Sequence, residues 1–205
     1  MYIPNANRVD DREQLLAFMK AHSFATLVSQ VDGEPFATHL PILIRQEGEQ
    51  IWLSSHLAKA NPHWKALQDS TALIIFQGPH AYISPTLYEK YESVPTWNYI
   101  AVHAYGRPEL VEVEQDPARV EQMLRTMMRT YERSYELQWD QLSDKFRQGM
   151  LRGVVGFEML VTRLEGKYKL SQNRSALDRQ TVREALASSG DPAIAAIGHA
   201  MEQFH

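Results

Sequence analysis

Apolar positions along the chain change period twice. In VDDREQLLAFMKAH (residues 9–22), Leu15, Leu16, Phe18 and Met19 recur at helical spacing behind an acidic start, which predicts a first helix. FATLVSQVDGEPFATHLPILI (24–44) then reads as two strands joined by Asp32-Gly33, a pair suited to a tight hairpin. QIWLSSH (50–56) is a third strand, followed by a helix over 62–68. TALIIFQG (71–78) is an apolar run rich in Ile and Phe, hence a buried strand, and AYISP (81–85) reads as its extension past a turn. NYIAVHAYGRPELVEV (98–113) alternates over a long stretch and predicts a fifth strand or a strand pair.

The period then lengthens. Asp116-Pro117 opens a long helix over 117–135, and Ser143 opens a shorter one. VGFEMLVTRLEGKYKLSQ (155–172) returns to strand, with Phe157, Met159 and Val161 on one face. The tail from Ser175 to Phe204 gives two helices separated by Ser-Ser-Gly. Short consecutive strands with few helices between them predict a mainly β, α+β chain, an antiparallel barrel with peripheral helices and not a doubly wound parallel sheet.

Composition narrows the function classes. At 205 residues and 44% hydrophobic residues, the chain supports one sizeable core or at most two small ones. No apolar run reaches the length of a membrane span, and MYIPNANRVDDRE lacks a signal-peptide pattern, so the expected compartment is the cytoplasm. The absence of cysteine excludes disulfides, thiolate nucleophiles and cysteine-ligated metals. A net charge of −4 argues against a strongly basic nucleic-acid-binding surface. The one row of cations at i, i+4 spacing, Arg125, Arg129 and Arg133, is interleaved with Glu121, Glu132 and Glu136 and reads as a solvated helix face.

SSHLAKANPHWK (54–65) is chemically the densest segment. Asn61-Pro62 signals a helix start, and the segment sets Ser54, Ser55 and Lys59 beside that N-terminus. Free N–H groups, a cation and hydroxyls are what a phosphate needs. The same residues also describe an ordinary capped helix with a polar loop. Neither GxGxxG nor GxxxxGK[ST] occurs, so a phosphate would be held without the usual glycine-rich cradle. No Ser-His-Asp signature appears, and His56 with His63 has no recognised metal-ligand spacing.

MYIP at the start, ATHLPIL (37–43), HLAKANPHW (56–64), IFQGPHAYISP (75–85), VPTWNYIAVHAYG (94–106) and GKYKLSQNR (166–174) together resemble the PaiB-type FMN-binding negative transcriptional regulators. These belong to the flavin-binding split-barrel superfamily that includes pyridoxamine-phosphate oxidase. The resemblance implies an FMN-binding split barrel over 1–174, a helical extension over 175–205 that packs on the barrel or the partner, and a homodimer with FMN near the subunit interface. It implies a phosphate site at Ser54, Ser55, His56, Lys59 and Asn61, and a strand through Thr38, His39 and Leu40 that bonds the edge of the isoalloxazine ring. Trp97 and Asn98, with Lys169, Gln172, Asn173 and Arg174, are the further implied flavin contacts, the last four often serving the other subunit's flavin. Each has a plainer reading: His39 as a satisfied strand residue, Trp97 as packing, the 169–174 group as a polar strand end. The alternative activity is a flavin-dependent oxidoreductase of the pyridoxamine-phosphate-oxidase type, and behind it a haem-binding split barrel. DNA enters as a partner through the resemblance alone.

Overall fold

The computed structural model describes residues 1–68 and 70–203. Asp69, just past the helix expected over 62–68, and Phe204 and His205, at the end of the expected extension over 175–205, lie outside the described residues. In chain order the strands are β1 (Arg8–Val9), β2 (Phe24–Val31), β3 (Glu34–Pro41), β4 (Leu43–Glu47), β5 (Gln50–Ala58), β6 (Ala72–Ile83), β7 (Thr96–Val111) and β8 (Val154–Lys169). The helices are α1 (Arg12–Ala21), α2 (His63–Leu67), α3 (Pro117–Tyr131), α4 (Tyr135–Gln141), α5 (Asp144–Arg152), α6 (Ala176–Ala187) and α7 (Pro192–Gln203). The strands form one antiparallel sheet in the order β3-β2-β6-β7-β8-β5-β4, with β1 on β8.

Local chemistry accounts for most boundaries. Asp32 and Gly33 both take positive φ, 53° and 84°, the backbone of a two-residue hairpin turn whose twist matches that of β2 and β3. Asp11 Oδ1 accepts from the Glu13 and Gln14 N–H groups at 3.0 and 3.2 Å and so caps α1. Asp116 accepts from Arg119 N–H ahead of Pro117, Ser143 from Phe146 N–H, and Ser175 from Asp178 N–H. Each such cap contributes about 1 kcal/mol.

Three expectations are corrected. The run 71–78 and its supposed extension 81–85 are one strand, β6, that continues through Gly78-Pro79 with only a break in its alternation. The strand expected to run on to Ile44 breaks at Ile42, and β4 begins as a separate strand paired with β5. The long helix over 117–135 is two helices: α3 ends at Tyr131, the backbone leaves helical geometry at Glu132, and α4 starts at Tyr135. The physical reason is burial of Trp139, 4% exposed, whose indole donates to Glu121 Oε1 at 3.4 Å. A straight helix would carry that ring away from α3.

The chain divides into two compact units. One comprises Met1–Phe18, Phe76–His103 and the segment from Glu165 onward; the other comprises Met19–Ile75 and Ala104–Leu164. The first has Phe76, Ile83, Val102, Leu170, Val182, Ile197 and Met201 fully buried, with the Phe18 and Tyr168 rings 5.7 Å apart. The second buries Leu27, Ile51, Leu53, Ile74, Phe157 and Met159, and has a smaller cluster of Val111, Val120 and Leu151. No helix among the described residues is long and apolar enough to cross a membrane.

Close backbone approach in the second unit is set by Gly106. A Cβ there would overlap the Leu160 carbonyl oxygen and stand 2.6 Å from Met159 Cγ. Gly106→Ala is therefore expected to destabilise the fold by about 1–3 kcal/mol, read as a lower urea midpoint at unchanged slope. An unchanged midpoint would show that β7 and β8 are less tightly apposed at this point than described.

Candidate functional site

The hydroxyls and histidine expected at a strand-to-helix joint lie within a strand. β5 runs on through Ala58, so its alternation separates them. Ser55 is buried on the core face beside Leu53 and Leu57, and its Oγ donates to the Pro41 carbonyl at 2.5 Å. Ser54 and His56 share the opposite face with Trp52, in register with Glu158 and Gly156 of β8. His56 fronts a cavity of about 270 Å³ lined by Leu124, Met127 and Met128 of α3, and burial lowers its pKa.

The joint proper holds Lys59 and Asn61. Asn61 Oδ1 accepts from His63 N–H at 3.0 Å, and its Nδ2 donates to Thr38 Oγ1 at 3.2 Å. Thr38 Oγ1 also lies 2.8 Å from His63 Nδ1, and Ser29 Oγ lies 2.8 Å from the other ring nitrogen. His63 is fully buried with Phe36 at its ring edge, so its two nitrogens find both partners inside the protein. In the sequence His63 stands out only beside His56, at a spacing that fits no metal site, and that spacing gives no sign of this bridging role. Two separately expected segments, 38–40 and 59–61, thus meet through a side-chain hydrogen bond.

Lys59 is engaged elsewhere. Its ammonium lies 3.4 Å from Glu112 and 3.1 Å from Glu114, and these bonds raise its pKa. His39 is exposed, with Nδ1 2.9 Å from Thr26 Oγ1, while Leu40 is buried. β3 ends the sheet order, so alternate peptide groups around Thr38–Leu40 face away from β2 without a ladder partner among the described residues.

The same unit contains a cavity of about 750 Å³, in the range of small-molecule pockets. Ser54, Arg45 and Arg119 contribute its donors, Glu158 its carboxylate, and Ile42, Leu43, Met123 and Tyr131 its apolar wall. Arg119 pairs with Glu158, which also lies 3.9 Å from Arg45. Neither arginine had a signal beyond its charge, because the contact depends on which helix covers β5.

The other expected residues belong to the first unit. Trp97 is 51% exposed, with His80 and Tyr82 rings 5.9 and 6.0 Å away. Asn98 is fully buried and exchanges hydrogen bonds with Ser171 at 3.0 and 3.3 Å. Ser171 has φ of 65°, a left-handed conformation that costs a non-glycine residue about 1 kcal/mol or more and that the Asn98 contacts hold. The Gln172 amide clamps this turn, accepting from Leu170 N–H at 2.7 Å and donating to the Tyr168 carbonyl at 2.5 Å. Lys169 donates to Thr96, Arg174 stacks 3.8 Å from the Tyr88 ring, and both line one small cavity with Asn98 and Asn173.

The row Arg125, Arg129, Arg133 is not one helix face, since Arg133 lies past the end of α3. Arg125 bonds Glu121 at 2.8 Å and Asp140 at 2.7 Å, and Arg129 bonds Glu136 at 2.8 Å. Two of the three cations are neutralised within the unit, which leaves little for a phosphate backbone.

Comparison with known proteins adds four findings. A family model described as "Putative FMN-binding domain" matches residues 1–163. The chain is 38% identical over 203 residues to the Bacillus subtilis "Protease synthase and sporulation protein PAI 2", covering 98% of this chain and 97% of that one. Among solved structures it resembles the flavocytochrome Anf3 from Azotobacter vinelandii, with a TM-score of 0.57, 19% identity, 78% of this chain and 68% of that one. It also resembles an FAD and heme binding protein from Mycobacterium smegmatis, with a TM-score of 0.57, 15% identity, 86% of this chain and 80% of that one. These two likenesses show the fold, an antiparallel split barrel.

Burial lowers the pKa of His63, and of His56 and His22, below the ordinary 6.5. The unfolded chain therefore takes up protons that the native state refuses. Stability is complete above about pH 6.5 and falls as pH drops below it. In urea titrations at about pH 7.5 and 5.5, the loss should be smaller in His63→Gln than in the wild type. Equal losses would remove His63 from the titrating set.

Proposed function

The chain belongs to the FMN-binding family whose model spans residues 1–163, and from that membership we propose that it holds FMN against β3 and the loop between β5 and α2. The observation that carries the assignment is the Asn61–Thr38 hydrogen bond, which ties the loop to the free edge of the sheet. The donor set suits a flavin nucleotide. The backbone of Thr38, His39 and Leu40 offers alternating N–H and C=O groups to the polar edge of the ring system, and the Asn61 amide, which gives one hydrogen to Thr38 Oγ1, has a second for a phosphate oxygen. Lys59 contributes a cation that the phosphate shares with Glu112 and Glu114. Ser54, with Arg45 and Arg119, adds donors in the large cavity of the same unit. FMN supplies redox chemistry when bound; the chain binds and orients it.

A homodimer in the cytoplasm is part of the same proposal. The exposed Trp97 and Tyr82 support it, as large aromatic surface is enriched where chains meet. In that assembly Trp97 and Gln172 face the flavin of the second copy, whereas Asn98, Lys169, Asn173 and Arg174 wall a small cavity of their own; the helical extension over 175–205 packs on the flavin-binding part over 1–174 or on the partner. The role is that of a PaiB-type regulator whose flavin state, not a grip on DNA, carries the signal; the internal pairing of Arg125 and Arg129 supports an indirect effect.

Purified protein is expected to bind FMN about tenfold or more tightly than riboflavin, since charge-assisted phosphate bonds contribute about 1.5–3 kcal/mol. Lys59→Ala, which leaves Glu112 and Glu114 facing the phosphate, should weaken FMN and spare riboflavin. Equal affinity for both ligands, or equal loss in the variant, refutes the phosphate assignment. Sizing should give twice the 23.5 kDa chain mass. Steady oxidation of NADH or NADPH by the FMN-loaded protein with an added acceptor would replace the regulator with a flavin-dependent oxidoreductase.

A further inference from the structure

A cavity of about 220 Å³ in the first unit collects donors that no carboxylate of the described residues pairs. Tyr88, Thr96, Asn98, Lys169, Asn173 and Arg174 are among its walls. Lys169 Nζ gives one hydrogen to Thr96 Oγ1 and retains two. Neither Lys169 nor Arg174 forms an ion pair with a carboxylate of the described residues. Asp178, close in sequence to Arg174, instead accepts from Glu89 N–H at 2.9 Å. Tyr88 is only 7% exposed, and its hydroxyl is buried without a hydrogen-bond partner. Ser93 Oγ, in the loop that supplies Val94 and Pro95 to the same cavity, is a second buried hydroxyl without a partner.

Such groups are rare in native proteins because each forgoes the water it would otherwise bind. Burial lowers the pKa of Lys169, and the neighbouring Lys167 adds to the effect, so the ammonium is held at a cost that an anion would offset. The strained turn at Ser171, pinned by Asn98, fixes where Asn173 and Arg174 emerge.

We propose that this cavity is an oxyanion site that takes the phosphate or carboxylate group of a ligand other than the flavin, with Lys169, Arg174 and the Tyr88 hydroxyl as donors. Its volume lies below the roughly 300 Å³ at which pockets for whole small molecules begin, so it receives a charged group and leaves the rest of the ligand outside. The site stands on its own donors and does not depend on the flavin assignment.

Calorimetric titration of inorganic phosphate, and separately of acetate, tests it at constant ionic strength. Flavin-free and FMN-saturated forms of the full chain are both titrated. Saturable binding of one anion per chain, alike in both forms, is expected for at least one of them; the tighter anion tells phosphate from carboxylate. Lys169→Met and Arg174→Gln should each weaken binding about tenfold or more, as expected for a lost charge-assisted bond. Tyr88→Phe should weaken it about threefold while leaving the thermal midpoint unchanged or higher, because it removes an oxygen that has no partner in the fold. Absence of saturable binding, binding unaffected by all three substitutions, or displacement of the anion by FMN would overturn the inference, the last by giving these cations to the cofactor.

Discussion

β8 is the strand on which the rest of the structure depends. Its sixteen residues pair with β5 over Val154–Leu160 and with β1 at Gly166 and Lys167, in one unbroken run. Side chains in a strand alternate with period two, so a slip of one residue would expose Val155, Phe157 and Met159 and bury Glu158. Small residues keep the register tight. A Cβ at Gly166 would stand 2.9 Å from the Val9 carbonyl oxygen, and one at Gly156 would stand 2.9 Å from Met123 Sδ of α3. The register in turn places Ser54 opposite Glu158, which fixes one wall of the large cavity.

Charge is distributed unequally over the candidate residues. Lys59, Arg119, Arg125 and Arg129 each have a carboxylate within the second unit. Pairs near the surface contribute little to stability, typically below about 1 kcal/mol. Lys169 and Arg174 have no such partner among the described residues, and burial makes that cost larger. In the β5–α2 loop the polar network is closed instead: His63, Thr38, Ser29 and Asn61 satisfy one another. A closed network gives a preformed contact surface with little left to reorganise, whereas an open one points to a missing ligand.

Much of the fold was legible in the sequence because its signals are local. The hairpin at Asp32-Gly33 follows from the conformations those two residues tolerate, and the helix starts at Asp11, Asp116, Ser143 and Ser175 from a side-chain oxygen within three residues of an orphan N–H. The family could be read as well, since its motifs fall in order from Met1 to Arg174. The hydrogen bond between Asn61 and Thr38 spans 23 residues and leaves no pattern in either segment, so the contact between them was not legible.

What the sequence by itself determined, then, is the kind of element at each position, the caps that bound it and the chemistry each segment carries. Tertiary structure alone decided which face each residue occupies and which charges meet. Ser54 and Ser55 are adjacent in sequence yet lie on opposite faces, because β5 extends to Ala58 to pair with β8. The helix after Pro117 breaks because Trp139 gains more from burial against α3 than an unbroken periodic run would give. Lys59 meets Glu112 and Glu114, more than 50 residues away, while Lys169 meets no acid among the described residues. Such pairings depend on distances in space between residues remote in the chain, and no local propensity encodes them.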